Sequence, residues 1–205
     1  MSERFADNVV HVVGVSAGLI AVPSLIIAAA IYLPAASTAS LSVYGGAMLA
    51  MLGFSAAYHM VPAGVWKRAL RRLDHAAIFV KIAATYTPFA AIKMRWPEGA
   101  VLLGSVWGVA VLGAAGKLFL ATTWDKLAIP LYLALGWAGL VFGQSVAASL
   151  GMTALALLGA GGILYTVGVI FHVWRSLPYQ NAVWHGFVLA GTGCHFGAVT
   201  AAAFA

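Results

Sequence analysis

Charged residues are scarce in seven long stretches of this sequence, and that scarcity limits the possible folds more than any other feature. Only 8% of the 205 residues are charged, against about 25% in a typical soluble domain. Each stretch has about the twenty residues that an α-helix needs to cross a bilayer. We therefore predict an all-α membrane protein, a single domain over 1–205 formed by a bundle of seven transmembrane helices at 9–33, 41–61, 74–92, 99–120, 127–148, 154–174 and 182–205.

The loops between these stretches differ in charge, and the difference predicts an orientation. Eight Lys and Arg residues fall on the side that holds the N-terminus, whereas two, Lys93 and Arg95, fall on the other. The positive-inside rule then places the N-terminus in the cytoplasm and the C-terminus outside. The net charge of +6 is explained by membrane-flanking residues beside anionic lipid head groups. We therefore expect membrane lipids as partners, no nucleic acid, and a multi-pass protein of the plasma or inner membrane.

Two connecting segments carry local predictions. The basic residues in 67–72 are spaced as in a short amphipathic turn on the membrane surface, before the third span. Residues 122–125, Thr-Thr-Trp-Asp, are expected to cap the start of the fifth span. Residues 1–8 are interpreted as a short polar lead outside the first span.

Polar residues that could bind a metal or take part in catalysis lie at the cytoplasmic end of the predicted bundle. His59 ends the second span, Asp74 begins the third, and His185 lies near the start of the seventh. Ionisable groups within a membrane are costly and usually mark a functional site. Imidazole and carboxylate groups suit zinc, and three protein ligands plus water form a catalytic type of site. Ser55 lies one turn from His59 on the same helical face, where it could hydrogen-bond a ligand or the bound water.

The residues alone leave other interpretations open. His59 and His185 could be interfacial histidines whose ring nitrogens bond backbone carbonyls. Asp74 could instead pair with Arg71 or Arg72. Spacing does not choose between these arrangements and a metal site, because the residues lie on three separate spans.

Three further polar residues have predicted positions but open roles. Lys81 lies two turns after Asp74 on the same face, where it could steer an acidic or amide head group or neutralise that carboxylate through water. His195 lies ten residues after His185, about 15 Å deeper on a regular helix. A packing or hydrogen-bonding role is therefore expected for His195 rather than a shared metal. His11 opens the first span and could support the site or be an ordinary interface residue.

Five short motifs run in order from the N-terminus to the last span. They are Glu3…His11-Val-Val-Gly14, Ser55-Ala-Ala-Tyr58-His59, Arg72-Leu-Asp74-His75-Ala-Ala-Ile78, Thr85-Tyr86-Thr87-Pro88-Phe89 and Ala182-Val-Trp184-His185-Gly-Phe187-Val-Leu-Ala-Gly191…His195-Phe196. Together they resemble the hemolysin III group of the progestin and adipoQ receptor family, within the ceramidase-like membrane hydrolase superfamily. The resemblance covers essentially the whole chain.

The resemblance implies a seven-helix bundle with a cytoplasmic N-terminus and a zinc site near the cytoplasmic face. In such proteins the metal is held by the histidine of an SxxxH motif and by two histidines of an HxxxH motif, with an aspartate nearby. The matching residues here are His59, His185 and Asp74. The remaining ligand position falls on Asn181, where the sequence departs from the pattern. Either His59, His185, Asp74 and water form the site, or the metal binds weakly or is absent.

The sequence is consistent with three functions. The first is a zinc-dependent intramembrane hydrolase of lipid amides or esters, with Zn²⁺ as cofactor, Asp74 as ligand or base, and Ser55 polarising the substrate carbonyl. The second is a non-enzymatic sensor or regulator of membrane state, in which the polar cluster is structural. The third is the haemolytic pore that the family name suggests. The pore is disfavoured, because the charges on the cytoplasmic side and the compact, glycine-rich spans are typical of a resident membrane protein rather than a secreted toxin. An ion channel or transporter is disfavoured further, because polar residues do not continue across the bilayer except at Lys81 and His195.

Overall fold

The computed structural model describes residues 2–205, without the side chains of residues 121–124 and 126, so the predicted cap at 122–125 lies largely outside the described residues. The described part of the chain is mostly helical and contains no β-strand. The helices are α1 Glu3–Tyr32, α2 Ala35–Met60, α3 Lys67–Pro88 with a π-helical turn at Phe89–Lys93, α4 Glu98–Phe119, α5 Ala121–Gly136, a 3₁₀ turn at Ala138–Phe142, α6 Gly143–Ser149, α7 Met152–Val173 and α8 Gln180–Ala203.

Within residues 2–205, seven helical segments are long and apolar enough to cross a membrane. Five are single α-helices. The third, Lys67–Lys93, is α3 with its π-helical turn, and the fifth, Leu127–Ser149, combines most of α5 with the 3₁₀ turn and α6. The predicted all-α fold with seven spans is therefore confirmed, and the chain is a multi-pass membrane protein. The side of the membrane that holds the N-terminus stays a prediction.

Several helices, α2 and α5 among them, begin earlier than the predicted spans, and two of these helices, α1 and α3, begin within charged segments. α1 starts at Glu3, so the residues interpreted as a polar lead form its first turns. α3 starts at Lys67, so the basic segment is the beginning of the third helix rather than a separate surface turn. Charged residues at a helix end lower the local hydropathy without disfavouring the helix, which is why the apolar pattern misplaced both starts.

Proline residues set the short connections among the first three helices. Leu33 precedes Pro34 and has an extended backbone (φ −121°, ψ 157°), because a following proline disfavours the helical conformation. Val61 precedes Pro62 and is likewise extended (φ −68°, ψ 135°). These two stops make α1, α2 and α3 successive antiparallel neighbours.

The fifth span is interrupted between α5 and α6, and Tyr86 supports the interruption. Its hydroxyl donates to the carbonyl of Gly136 (2.6 Å) and accepts from the amide N–H of Gly139 (3.0 Å). Irregular backbone within a membrane needs protein partners, because lipid offers no hydrogen bonds. A single side chain from α3 thus provides partners for two backbone groups at the break.

The spans pack as a closed ring in the order α1, α2, α3, α4, α5, α7, α8, with α3 also reaching across to α8. One apolar core joins α1, α2 and α8, and a second joins α3, α4 and α5. A cavity of about 700 Å³ lies within the ring. The polar faces of α1, α2, α3 and α8 converge on one end of this cavity.

Candidate metal centre

The first turn of α1 is fixed to the ends of two neighbouring helices. The carboxylate of Glu3 accepts from the amide N–H of Tyr179 (3.1 Å), just before α8. Arg4 donates to the carbonyl of Met60 (3.4 Å), at the end of α2. These contacts hold the N-terminal turns of α1 where three helices meet, and Asp7 follows in the next turn.

Glycines let the three helices approach closely beside this point. A Cβ at Gly14 would lie 3.3 Å from Leu189 on α8, and one at Gly18 would lie 2.9 Å from Leu52 on α2. Side chains larger than hydrogen at these positions would push the neighbouring leucines away. The backbone of α1 can therefore approach α8 about one turn beyond His11 and α2 about two turns beyond it.

Four side chains from α1, α2 and α8 form the histidine cluster: Asp7, His11, His59 and His185. One potential ligand atom of each lies within 4.8 Å of those of the others. The carboxylate of Asp7 is 2.6 Å from His185 Nδ1, 3.2 Å from His59 Nδ1 and 3.7 Å from His11 Nε2. The centroids of the three imidazole rings are 4.4–5.0 Å apart. Asp7, His11 and His185 are buried, and His59 is partly buried.

The donor set of the histidine cluster fits a metal ion. His11 Nε2 is buried and has no hydrogen-bond partner among the described residues, which is a costly state for a polar atom and one that a metal would relieve. Asp7 contacts the Nδ1 atoms of His59 and His185, so the Nε2 atom of each ring remains for a ligand. A carboxylate that orients metal-binding histidines in this manner is common in metalloproteins. The cluster can therefore hold a metal ion, with Asp7 either as a ligand or as the group that orients the rings.

The predicted ligands are only partly in the histidine cluster. His59 and His185 belong to it, whereas Asp74 does not. Asp74 is buried on α3 and lines the same cavity, with the Ser55 hydroxyl near its carboxylate. A role for Asp74 as ligand or base stays a prediction.

Asn181, at the position where the resemblance places another histidine, is exposed in the first turn of α8. It lines the cavity but is not one of the four residues in the histidine cluster. The third imidazole comes instead from His11 on α1. Three other histidines, His75, His172 and His195, line the cavity outside the cluster.

Sequence reasoning missed Asp7, the residue that contacts all three imidazoles. A signal was present, because Glu3, Asp7 and His11 are spaced by four residues and so share one face of a helix. The signal becomes visible only if the helix is extended through the polar residues at the start of the chain.

The carboxylate of Asp125, at the cavity mouth, pairs with two basic residues that also line the cavity. Asp125 accepts from Arg71 (2.8 Å) and from the buried Lys117 (2.6 Å). Burial acts to raise the pKa of Asp125, but the hydrogen bonds from Lys117 and Arg71 outweigh it, so the pKa lies below its usual value. Arg72 donates to the carbonyl of Leu118 (3.1 Å). Within the part of the chain that the structure describes, Asp74 forms no direct ion pair with Arg71 or Arg72, the partners that the sequence offered.

Comparisons with known proteins agree with this architecture. Residues 3–196 match the family model described as "Haemolysin-III related". The chain is 36% identical to "Hemolysin-3 homolog" of Bacillus subtilis (strain 168) over 196 residues, which is 96% of this chain and 92% of the relative. It is 35% identical to "Hemolysin-3" of Bacillus cereus, covering 96% and 90%. "Monocyte to macrophage differentiation factor" of Homo sapiens is 25% identical over 169 residues, covering 77% and 67%. The protein therefore belongs to the haemolysin-III-related family, which links it to the progestin and adipoQ receptor proteins.

Proposed function

We propose that this protein is a zinc-dependent hydrolase that cleaves an amide or ester bond of a membrane lipid inside the bundle. The observation that carries the proposal is the position of the histidine cluster at one end of a cavity of about 700 Å³. Three imidazoles and a carboxylate are donors that suit zinc. Bound zinc would lower the pKa of a coordinated water towards neutrality and so supply a nucleophile.

Asp74 is the proposed general base. It lines the same cavity as the histidine cluster and is 7% exposed, so a proton that it receives would be shielded from bulk solvent. The Ser55 hydroxyl lies near this carboxylate, and we assign Ser55 the role of a positioning residue. In this role Ser55 holds the base in place rather than polarising a substrate carbonyl.

The shape and lining of the cavity support a lipid substrate. Its volume falls within the roughly 300–1,000 Å³ of ligand pockets, and below the cluster it is lined by apolar side chains that include Leu52, Ile82, Phe89 and Leu155. An acyl chain can lie there while its amide or ester bond lies at the polar end. With the predicted orientation, the lipid would enter from the cytoplasmic leaflet.

The test compares wild-type protein with His59→Ala and with His172→Ala, a control that removes a histidine lining the same cavity outside the cluster. Zinc content is measured by mass spectrometry, and turnover is followed with fluorogenic lipid amides and esters. We expect stoichiometric zinc and hydrolysis in the wild type, loss of both in His59→Ala, and retention of both in His172→Ala. Wild-type protein without stoichiometric zinc, or unchanged hydrolysis in His59→Ala, would refute the proposal.

A second candidate is a non-enzymatic sensor or regulator of membrane state. It is favoured by the direct contacts of Asp7 with His185 (2.6 Å) and His59 (3.2 Å), which join three helices without a metal. This candidate predicts that His59→Ala lowers thermal stability in detergent while no lipid is consumed by the wild type. Retained cellular function in a folded, metal-free variant would favour it over the hydrolase.

A further inference from the structure

Lys81 lies deep in the bundle with few partners for its charge. It is 2% exposed and lines the cavity. Its ammonium donates to the Tyr165 hydroxyl (2.8 Å) and lies 4.7 Å from the centre of the same ring. That hydroxyl is 2.6 Å from the Thr192 hydroxyl, which itself donates to the carbonyl of Val188 (2.8 Å). Tyr165 therefore donates to Thr192 and accepts from Lys81, and no second hydrogen bond of the ammonium is found within the described residues.

Among the described residues, no carboxylate pairs with Lys81. The sequence has five acidic residues, and none forms an ion pair with this ammonium in the described structure. Asp74, on the same helix, is separated from it by seven residues, about 10 Å of helical rise. The other four are occupied or distant: Glu3 at the start of α1, Asp7 in the histidine cluster, Asp125 at the cavity mouth and Glu98 at the start of α4. An ammonium inside a bilayer is costly without a counter-charge, so a ligand anion is a chemically suitable partner.

A second unsatisfied atom lies beside the same tyrosine. The ring centroid of His195 is 5.3 Å from that of Tyr165, and His195 also lines the cavity. Its Nδ1 atom is buried and has no hydrogen-bond partner among the described residues. The ring is seated against Gly161, where a Cβ would collide with it. Lys81, Tyr165, Thr192 and His195 thus form a deep group, called here the lysine cluster, with unused hydrogen-bonding capacity on both Lys81 and His195.

We propose that the lysine cluster binds the carboxylate of a single-chain, monoanionic amphiphile, for which a fatty acid is the simplest example. One carboxylate neutralises one ammonium and can accept its unused N–H groups. The hydrocarbon chain would lie in the apolar part of the cavity beyond Lys81, lined by Phe89, Leu150 and Leu155. This site is about two helical turns from the level of Asp74. It requires neither a metal nor hydrolysis, so it stands apart from the proposed function.

Binding of tritiated palmitic acid, with 1-hexadecanol as the uncharged match, tests the proposal on purified full-length protein. Both ligands are measured with zinc-loaded and with chelator-treated samples. We expect palmitic acid to bind both samples more tightly than the alcohol. Lys81→Gln should weaken palmitic acid binding by roughly thirtyfold or more, the effect of removing one partner of a buried charge pair. Lys81→Arg should retain most of the wild-type affinity, and Lys93→Gln, which removes a charge in the π-helical turn after α3, should have no effect.

Several results would overturn this assignment. They are no palmitic acid binding to the wild type, equal binding of 1-hexadecanol, or equal palmitic acid binding to Lys81→Gln. If metal removal abolishes palmitic acid binding to the wild type while Lys81→Gln leaves that binding unchanged, the carboxylate binds at the histidine cluster instead. If Lys81→Gln does not fold, carbodiimide coupling of palmitic acid to wild-type protein provides the test. An amide to Lys81 in the peptide map supports the site, and coupling only to other lysines overturns it.

Discussion

Replacing Asp7 with Asn isolates the contribution of one carboxylate to both stability and metal binding. Asn has nearly the same shape, so the change removes charge without leaving a cavity. Two of the three imidazole contacts, at 2.6 and 3.2 Å, are short enough to be hydrogen bonds, whereas the 3.7 Å contact to His11 is too long. Hydrogen bonds to charged groups contribute about 1.5–3 kcal/mol, and neutral ones about 0.5–1.5 kcal/mol. In Asp7→Asn each of the two hydrogen bonds changes from a charged to a neutral one and loses the difference between these ranges. The two losses together predict that Asp7→Asn lowers the free energy of unfolding of metal-free protein by about 2–3 kcal/mol.

Equilibrium unfolding in mixed micelles measures this loss, with Glu98→Gln as the control. Glu98 is an exposed carboxylate in the first turn of α4, and its neutralisation should change stability by less than about 0.5 kcal/mol. If Asp7→Asn is no more destabilising than Glu98→Gln, the contacts around Asp7 do not stabilise the bundle and our reasoning is wrong.

The same variant separates the two metal-binding roles of Asp7. If the carboxylate orients His59 and His185, zinc affinity should fall by roughly 10–100-fold, as for other groups that orient ligands. Abolished zinc binding would instead identify Asp7 as a direct ligand. Competition with a zinc chelator measures the change in zinc affinity, and an unchanged affinity would contradict both roles.

Two further substitutions test other parts of the polar end. Asn181→His places an imidazole one turn before His185, and we expect slower loss of zinc to a chelator; an unchanged rate would show that position 181 does not reach the metal. The lowered pKa of Asp125 means that its pairs with Arg71 and Lys117 stabilise the fold fully above about pH 4, the usual value, and progressively less as pH falls. Because Asp125 is 34% exposed, solvent screening limits this contribution to about 1 kcal/mol. Asp125→Asn should therefore flatten the acid limb of a plot of unfolding free energy against pH, and an unaltered slope would contradict the assignment.

The number of spans was predictable because hydropathy is a local property of the sequence. A helix that crosses lipid must be apolar over about twenty residues, whatever its neighbours are. Alternation of direction then places His59 and His185 at the same end of the bundle, and the structure brings both into one cluster. The sequence could not identify Asp7 as their partner, because that requires the first turn of α1 to dock against α2 and α8. Those docking contacts, from Glu3 and Arg4, join residues far apart in the chain.

The sequence by itself determined the membrane-spanning class, the count of spans and the end of the bundle where the histidines lie. Only the tertiary structure decided which side chains touch: Asp7 with three histidines, Arg71 with Asp125, and Lys81 with Tyr165. The physical reason is that most of these helices are apolar around most of their circumference, so the pattern of hydropathy does not set their rotation or their neighbours. Close packing at glycines and hydrogen bonds between distant polar groups set both, and they arise only once the helices are side by side.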